Sequence, residues 1–222
     1  MKEFLKRYRH AWVLGYFFIY VIWFFLLNQL TADSFAPLYH PLDDYIPFCE
    51  WFVIPYYLWF PYIPLTVFYF FFKAEKKEYY QLTAFLFIGM TIALITYTIW
   101  PNGVYFRPDL ETLGRDNFLI RLVDIIYRAD VGTNCCPSIH CFNSIGVCIG
   151  INKCVSLKKY RGIRIASVVL SVLICLSTMY IKQHSIIDVV WAFVLAGVMY
   201  LLVYTPFLAR VFGKKKKNLE TT

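Results

Sequence analysis

Two short stretches of this chain combine residue types that do chemistry. "CCPSIHCF", Cys135 to Phe142, puts a hydroxyl and a histidine at the head of an apolar run. "YIKQHSIIDVV", Tyr180 to Val190, puts a histidine four residues before an aspartate. On a helix that spacing sets His184 and Asp188 on one face. A carboxylate there fixes the tautomer of the ring and raises the basicity of its other nitrogen, which suits an imidazole that attacks. An aspartate in an apolar run is costly unless paired, so Asp188 is a functional candidate by default. Ser138 is placed to cap the start of a helix. The N–H groups that follow, Ile139 included, combine with the helix dipole to form an anion site. His140, in the same turn, can give a proton to a leaving oxygen. Arg107 in "FRPDL" adds a forked cation that matches phosphate oxygens, and Lys182 adds a point charge. Together these residues read as a phosphate pocket with a nucleophile, an acid and an orienting carboxylate.

The elements that must position them follow from composition. The chain has 222 residues, 59% hydrophobic, 20% aromatic and 16% charged, where a soluble domain carries about a quarter charged residues. Its apolar residues come in blocks, which makes lipid the solvent. Six runs are long enough, or nearly so, to cross a hydrocarbon layer of about 30 Å as helices: 11–30, 50–72, 82–100, 138–151, 165–181 and 186–208. The fourth is interrupted early by Asn152 and Lys153. The expected fold is an all-α, six-span membrane bundle forming one domain over residues 1–222. The first run exceeds the 7–15 residue core of a signal peptide and is read as a span.

Charge gives orientation. Lys2, Lys6, Arg7 and Arg9 precede the first span, and Lys73, Lys76 and Lys77 follow the second. Lys153, Lys158, Lys159, Arg161 and Arg164 follow the fourth, Lys214 to Lys217 close the chain, and residues 31–49 contain no Lys or Arg. The positive-inside rule then makes both termini cytoplasmic and puts 31–49, 101–137 and the turn at 182–185 on the outer side. That shared side is what lets Arg107, the PSIH stretch and the His184 turn meet. The formal charge of +8 flanks the spans, which suits anionic headgroups and excludes nucleic acid as a partner. Within 101–137, apolar residues at helical spacing predict an amphipathic interfacial helix over Asn117–Arg128. Asp124 and Asp130 read as solvated or interfacially paired, and His40 as a loop residue. Most of the seven cysteines read as small buried hydrophobes, while Cys135 and Cys136 lie on the side where a disulfide could form.

"CCPSIH" and "YIKQHSIID" resemble the second and third signature motifs of the type 2 phosphatidic acid phosphatase superfamily, and "FRPDL" resembles the end of its first. The resemblance covers roughly Trp100 to Val190 and extends to the six-span plan. It implies that His184 is a nucleophile forming a phosphohistidine, that Asp188 orients it, and that His140 protonates the leaving alcohol. It implies phosphate contacts from Arg107, Ser138, Ile139 and Lys182. Two positions depart from the pattern: Trp100 stands where the first motif begins with lysine, and Thr178 where the third carries arginine. Lys182 is read as the replacement cation.

The expected function is hydrolysis of a lipid phosphate, without metal or other cofactor, at the outer face of a plasma membrane. Substrate and membrane lipids are the expected partners. A transferase that passes the phospho-headgroup to a lipid alcohol would use the same residues. A metalloenzyme built on two histidines and an aspartate is opposed by the two cations. A transporter is opposed by the lack of inverted repeats or paired broken helices.

Overall fold

The computed structural model describes residues 9–31 and 34–206. A 3-10 turn, Arg9–Gly15, leads into α1 (Tyr16–Thr31), and a loop carries β1 (Ala36–Pro37) and the single turn α2 (Leu42–Tyr45). A second 3-10 turn, Glu50–Phe52, opens α3 (Val53–Lys73), which is followed by α4 (Lys76–Ile99), β2 (Asn102–Gly103) and α5 (Phe118–Ala129). The chain ends its described part with α6 (Ile139–Lys153), α7 (Arg161–Tyr180) and α8 (Ile186–Tyr204). The basic residues at 2–7 and 214–217 that set the expected orientation, and the last two residues of the expected sixth span, lie outside the described part.

Among the described residues, five segments are long and apolar enough to cross a membrane: His10–Thr31, Glu50–Lys73, Lys76–Ile99, Arg161–Tyr180 and Ile186–Tyr204. They correspond to five of the six expected spans, with ends moved by up to six residues. The fourth expected span departs from the rest. It becomes α6, whose 15 residues reach only about 22 Å at 1.5 Å per residue. Lys153 ends it, and α3, α4, α7 and α8 all pack against it. α6 is therefore the axis of the bundle, enclosed by longer helices.

Close packing fixes that axis. Phe85 of α4 stacks on Phe142 of α6 at 5.0 Å between ring centroids. Gly89 makes room for the same ring: a Cβ there would fall 1.9 Å from Phe142 Cζ. By contrast, α1 touches mainly α4 and leaves Phe17, Phe18, Ile22, Phe25 and Leu30 exposed, as a helix facing lipid does.

Two loops close one end of the bundle. β1 pairs in parallel with β2 over two residue pairs, so the loop at 34–49 lies along the one that follows α4. The expected amphipathic helix is present as α5, capped by Asn117, whose Oδ1 accepts from Ile120 N at 3.0 Å. Its Val123 and Ile126 bury against Val53, Tyr56 and Ile181.

Candidate active site

The site grows from two helix starts. Ser138 caps α6, its Oγ accepting from Cys141 N at 3.3 Å, and its own N–H donates to the Asp188 carbonyl at 3.1 Å. That bond ties the two motifs together. Among the described residues, no acceptor is found for the N–H of Ile139 or His140, the open positions that a helix start presents to an anion.

The α7–α8 turn is tightly wound. The N–H groups of Gln183 and His184 both donate to the Thr178 carbonyl, at 2.9 and 3.0 Å, and Lys182 takes φ 55°. Ser185 then starts α8 with a capping box, Ser185 N donating to Asp188 Oδ2 at 3.0 Å. "S-I-I-D" is a capping-box pattern, a signal the sequence reading passed over. Asp188 Oδ2 thus accepts twice, because His184 Nδ1 also donates to it at 3.1 Å.

That second bond settles the ring chemistry. With its Nδ1 proton on Asp188, a neutral His184 turns an Nε2 lone pair outward. Nε2 lies 3.3 Å from His140 Nδ1, and while His184 is neutral in this tautomer the His140 nitrogen is the donor. His140 is held by two rings of α3, Tyr56 at 4.8 Å and Trp59 at 4.4 Å between centroids. Burial works against a charged His184, but the Asp188 hydrogen bond and carboxylate charge more than offset it, so its pKa is raised above the ordinary 6.5.

Arg107 sits beside this row. Nη1 donates to the Asp130 carbonyl at 2.6 Å and Nη2 to Gln183 Oε1, while the guanidinium lies 4.6 Å over the Tyr127 ring. Asp130, read above as solvated or interfacially paired, accepts from Gly132 N at 2.9 Å and lies 3.7 Å from Arg107 Nη2. Gly132 must be glycine: φ is +82°, and a Cβ would fall 2.9 Å from Arg107 Cζ. Two donors in this group, Arg107 Nε and Gln183 Nε2, are buried without a partner.

Lys182 differs from the expected phosphate contact. Its ammonium donates to the carbonyls of Asp43 at 2.7 Å and Ile46 at 2.5 Å, so two of its three donors hold the 42–46 loop. Burial lowers its pKa, offset in part by Asp43 and Asp44.

The sequence reading missed three contributors. Asp43 is 3% exposed; its carboxylate accepts from Ser185 Oγ at 2.6 Å, Ile186 N at 2.9 Å and His40 N at 2.9 Å. Gln183 links Arg107 to the histidine turn. Asn102 Oδ1 accepts from Cys135 N at 3.0 Å and Cys136 N at 2.7 Å. Both cysteines are unpaired and buried, and burial pushes the Cys136 thiol up to about 12, with Asp188 adding to it. No metal was expected here, and among the described residues the side chains placed to hold one differ from the two histidines and aspartate of the alternative set aside above. Cys135, His184 and Asp188 place one donor atom each within 4.8 Å of one another.

The row Asp188–His184–His140, with Arg107 and open N–H groups alongside, can direct a nucleophilic nitrogen at an anionic centre. No family model, curated protein or solved structure matches the chain.

Proposed function

We propose that this chain is an integral membrane enzyme that hydrolyses a lipid phosphate monoester or diphosphate through a phosphohistidine on His184. The observation that carries the reading is the single hydrogen-bonded row from Asp188 through His184 to His140. It has the order needed by an oriented nucleophile next to a proton donor. Supporting it are the buried, partnerless Nε of Arg107 and Nε2 of Gln183, which lack an acceptor that phosphate oxygens would supply. The resemblance of the two motifs to those of type 2 phosphatidic acid phosphatases points the same way.

In this reading the phosphate parts the two rings, since 3.3 Å between their nitrogens has no room for a phosphorus atom. His184 Nε2 attacks, the ester bond to the lipid breaks, and His140 gives the leaving oxygen its proton. Water then cleaves the phosphorus–nitrogen bond, giving a proton to His140, so that both histidines return to their starting state and phosphate is released. Arg107, Gln183, Ser138 and the N–H groups of Ile139 and His140 hold the equatorial oxygens, where charge builds. The site faces the outside of a plasma membrane, with both termini in the cytoplasm.

Phosphorus NMR on purified protein in detergent, with phosphatidic acid, EDTA and diacylglycerol or ceramide present, tests this. A growing free-phosphate signal, absent in His184→Ala, is the expected result. A new phosphodiester signal would make the enzyme a transferase, and turnover that survives His184→Ala would end the proposal.

A further inference from the structure

We infer that the pocket also binds a thiophilic divalent cation, Zn2+ or Cd2+, through Cys135, His184 and Asp188, and that the bound ion switches the site off. The inhibitory half rests on the proposed function; the binding half does not.

Three observations carry it. One donor atom from each residue lies within 4.8 Å of the others, and all three residues are buried. Asp188 Oδ2 already accepts two N–H groups, but its Oδ1 is buried with no partner at all. A carboxylate oxygen in that state is stabilised by a cation. Finally, the ammonium of Lys182 is turned away to the 43 and 46 carbonyls, and the charge of Arg107 is met by the Asp130 carboxylate at 3.7 Å.

The donor set selects the ion. A thiolate, an imidazole and a carboxylate suit tetrahedral Zn2+ or its softer analogue Cd2+, with water in the fourth position. Mg2+ and Ca2+ require more oxygen ligands than this pocket offers. Binding forms a metal–sulfur bond, and the thiol proton, now held toward the Gly132 carbonyl at 3.1 Å, leaves to solvent. No electron is exchanged. If Nε2 of His184 binds the metal, its attacking lone pair is consumed; if Nδ1 binds, the proton held toward Asp188 moves to Nε2 and blocks it, so attack on phosphorus stops in either case.

The test uses the full chain in detergent, stripped with EDTA and then freed of it, titrated with Cd2+ while the near-ultraviolet thiolate-to-cadmium absorption is followed. The expected signal saturates at one equivalent, persists in Cys136→Ser and disappears in Cys135→Ser, with Cys135→Ala used if the serine variant fails size exclusion. In parallel, Cd2+ or Zn2+ should stop phosphate release, EDTA should restore it, and the half-inhibiting concentration should rise at least about ten-fold in Cys135→Ser. Mg2+ should do neither. An unchanged absorption or an unchanged inhibition in the Cys135 variant overturns the inference. If no lipid releases phosphate, the absorption titration still decides binding, so the two proposals fail separately.

Discussion

Two side-chain pairs in this protein share a spacing and nearly a distance. Asp124 and Arg128 on α5 lie four residues apart with 2.9 Å between charged atoms. His184 and Asp188 are also four apart, at 3.1 Å. The first pair is 40% and 79% exposed, the second 7% and 0%. In water an exposed pair gains little, because solvent screens it and two long side chains lose freedom. In the bundle the Asp188 carboxylate is fully buried, and removing one partner of such a buried pair costs about 3–5 kcal/mol. Spacing brings side chains together. Burial and further anchors turn the contact into a device, and only the second pair has them: Ser185 N on one side, His140 on the other.

The strongest way to break this comparison is at the ring. His184→Ala should lower turnover of a lipid phosphate by at least about 10^4-fold, with the protein still eluting as a folded species. Loss of folding without a prior loss of turnover in milder variants would make the pair a structural one, like its counterpart on α5.

Asp188→Asn comes next. Asparagine still offers an oxygen to the Ser185 N–H and so keeps the cap, but it removes the charge that orients and polarises His184. Turnover should fall by roughly 10^2–10^4-fold. The pH profile separates charge from shape. His184 must be neutral to attack, and its pKa is raised above 6.5, so the wild-type rate should climb through an acid limb lying above the ordinary imidazole value. In Asp188→Asn the limb should move to lower pH while the plateau drops. A limb that does not move means that Asp188 acts only as a cap.

What the sequence disclosed and what it hid divide along chain distance. Ser138 as a cap, the contact of His184 with Asp188, and α5 with its Asn117 start are local patterns, set by periodicity and capping within a few residues. His184, however, stands in the turn before α8 and meets Asp188 across the cap, not along a helical face. Five helices long and apolar enough to span were legible because lipid demands long apolar runs. The fourth expected span is present as α6, shorter than the five long helices and enclosed by them, a placement that composition does not encode. Asp43 contacts Ser185 across 142 residues and Asn102 reaches Cys136 across 34; no local pattern encodes such approaches. Lys182 was assigned to phosphate by its place in a motif, and only the folded loop shows two of its donors committed to carbonyls.

Asp43 sharpens the comparison from a distance, because it touches neither histidine. It holds the first turn of α8 through Ser185 and Ile186 and is tied to the histidine turn by Lys182. Asp43→Asn leaves the shape but exchanges an acceptor oxygen for a donor in front of an N–H or a hydroxyl. The cost expected for weakening such buried, charge-assisted bonds is about 2–3 kcal/mol, read as a lower melting temperature in detergent. As a positioning residue it should slow turnover by about ten-fold, with the acid limb of the profile left in place, since the Asp188 charge is untouched. A shifted limb would instead give Asp43 an electrostatic part in the site.

The smallest effect belongs to the pair that the comparison treats as inert. Arg128→Ala removes an exposed charge from α5, and its partner Asp124 simply returns to solvent. Neither the melting temperature nor turnover should change measurably, and raising the salt concentration should not separate variant from wild type. A clear loss of activity toward lipid in vesicles, absent toward the same lipid in detergent, would show that α5 meets the membrane surface through its charges. The helix has apolar means for that as well: Phe118 and Ile125 stand 72% and 56% exposed on it, seven residues apart and thus two turns along one face. Replacing both with serine, with the ion pairs intact, should weaken the vesicle reaction where Arg128→Ala does not, and that contrast assigns the outer face of α5 to hydrophobic contact with the bilayer surface.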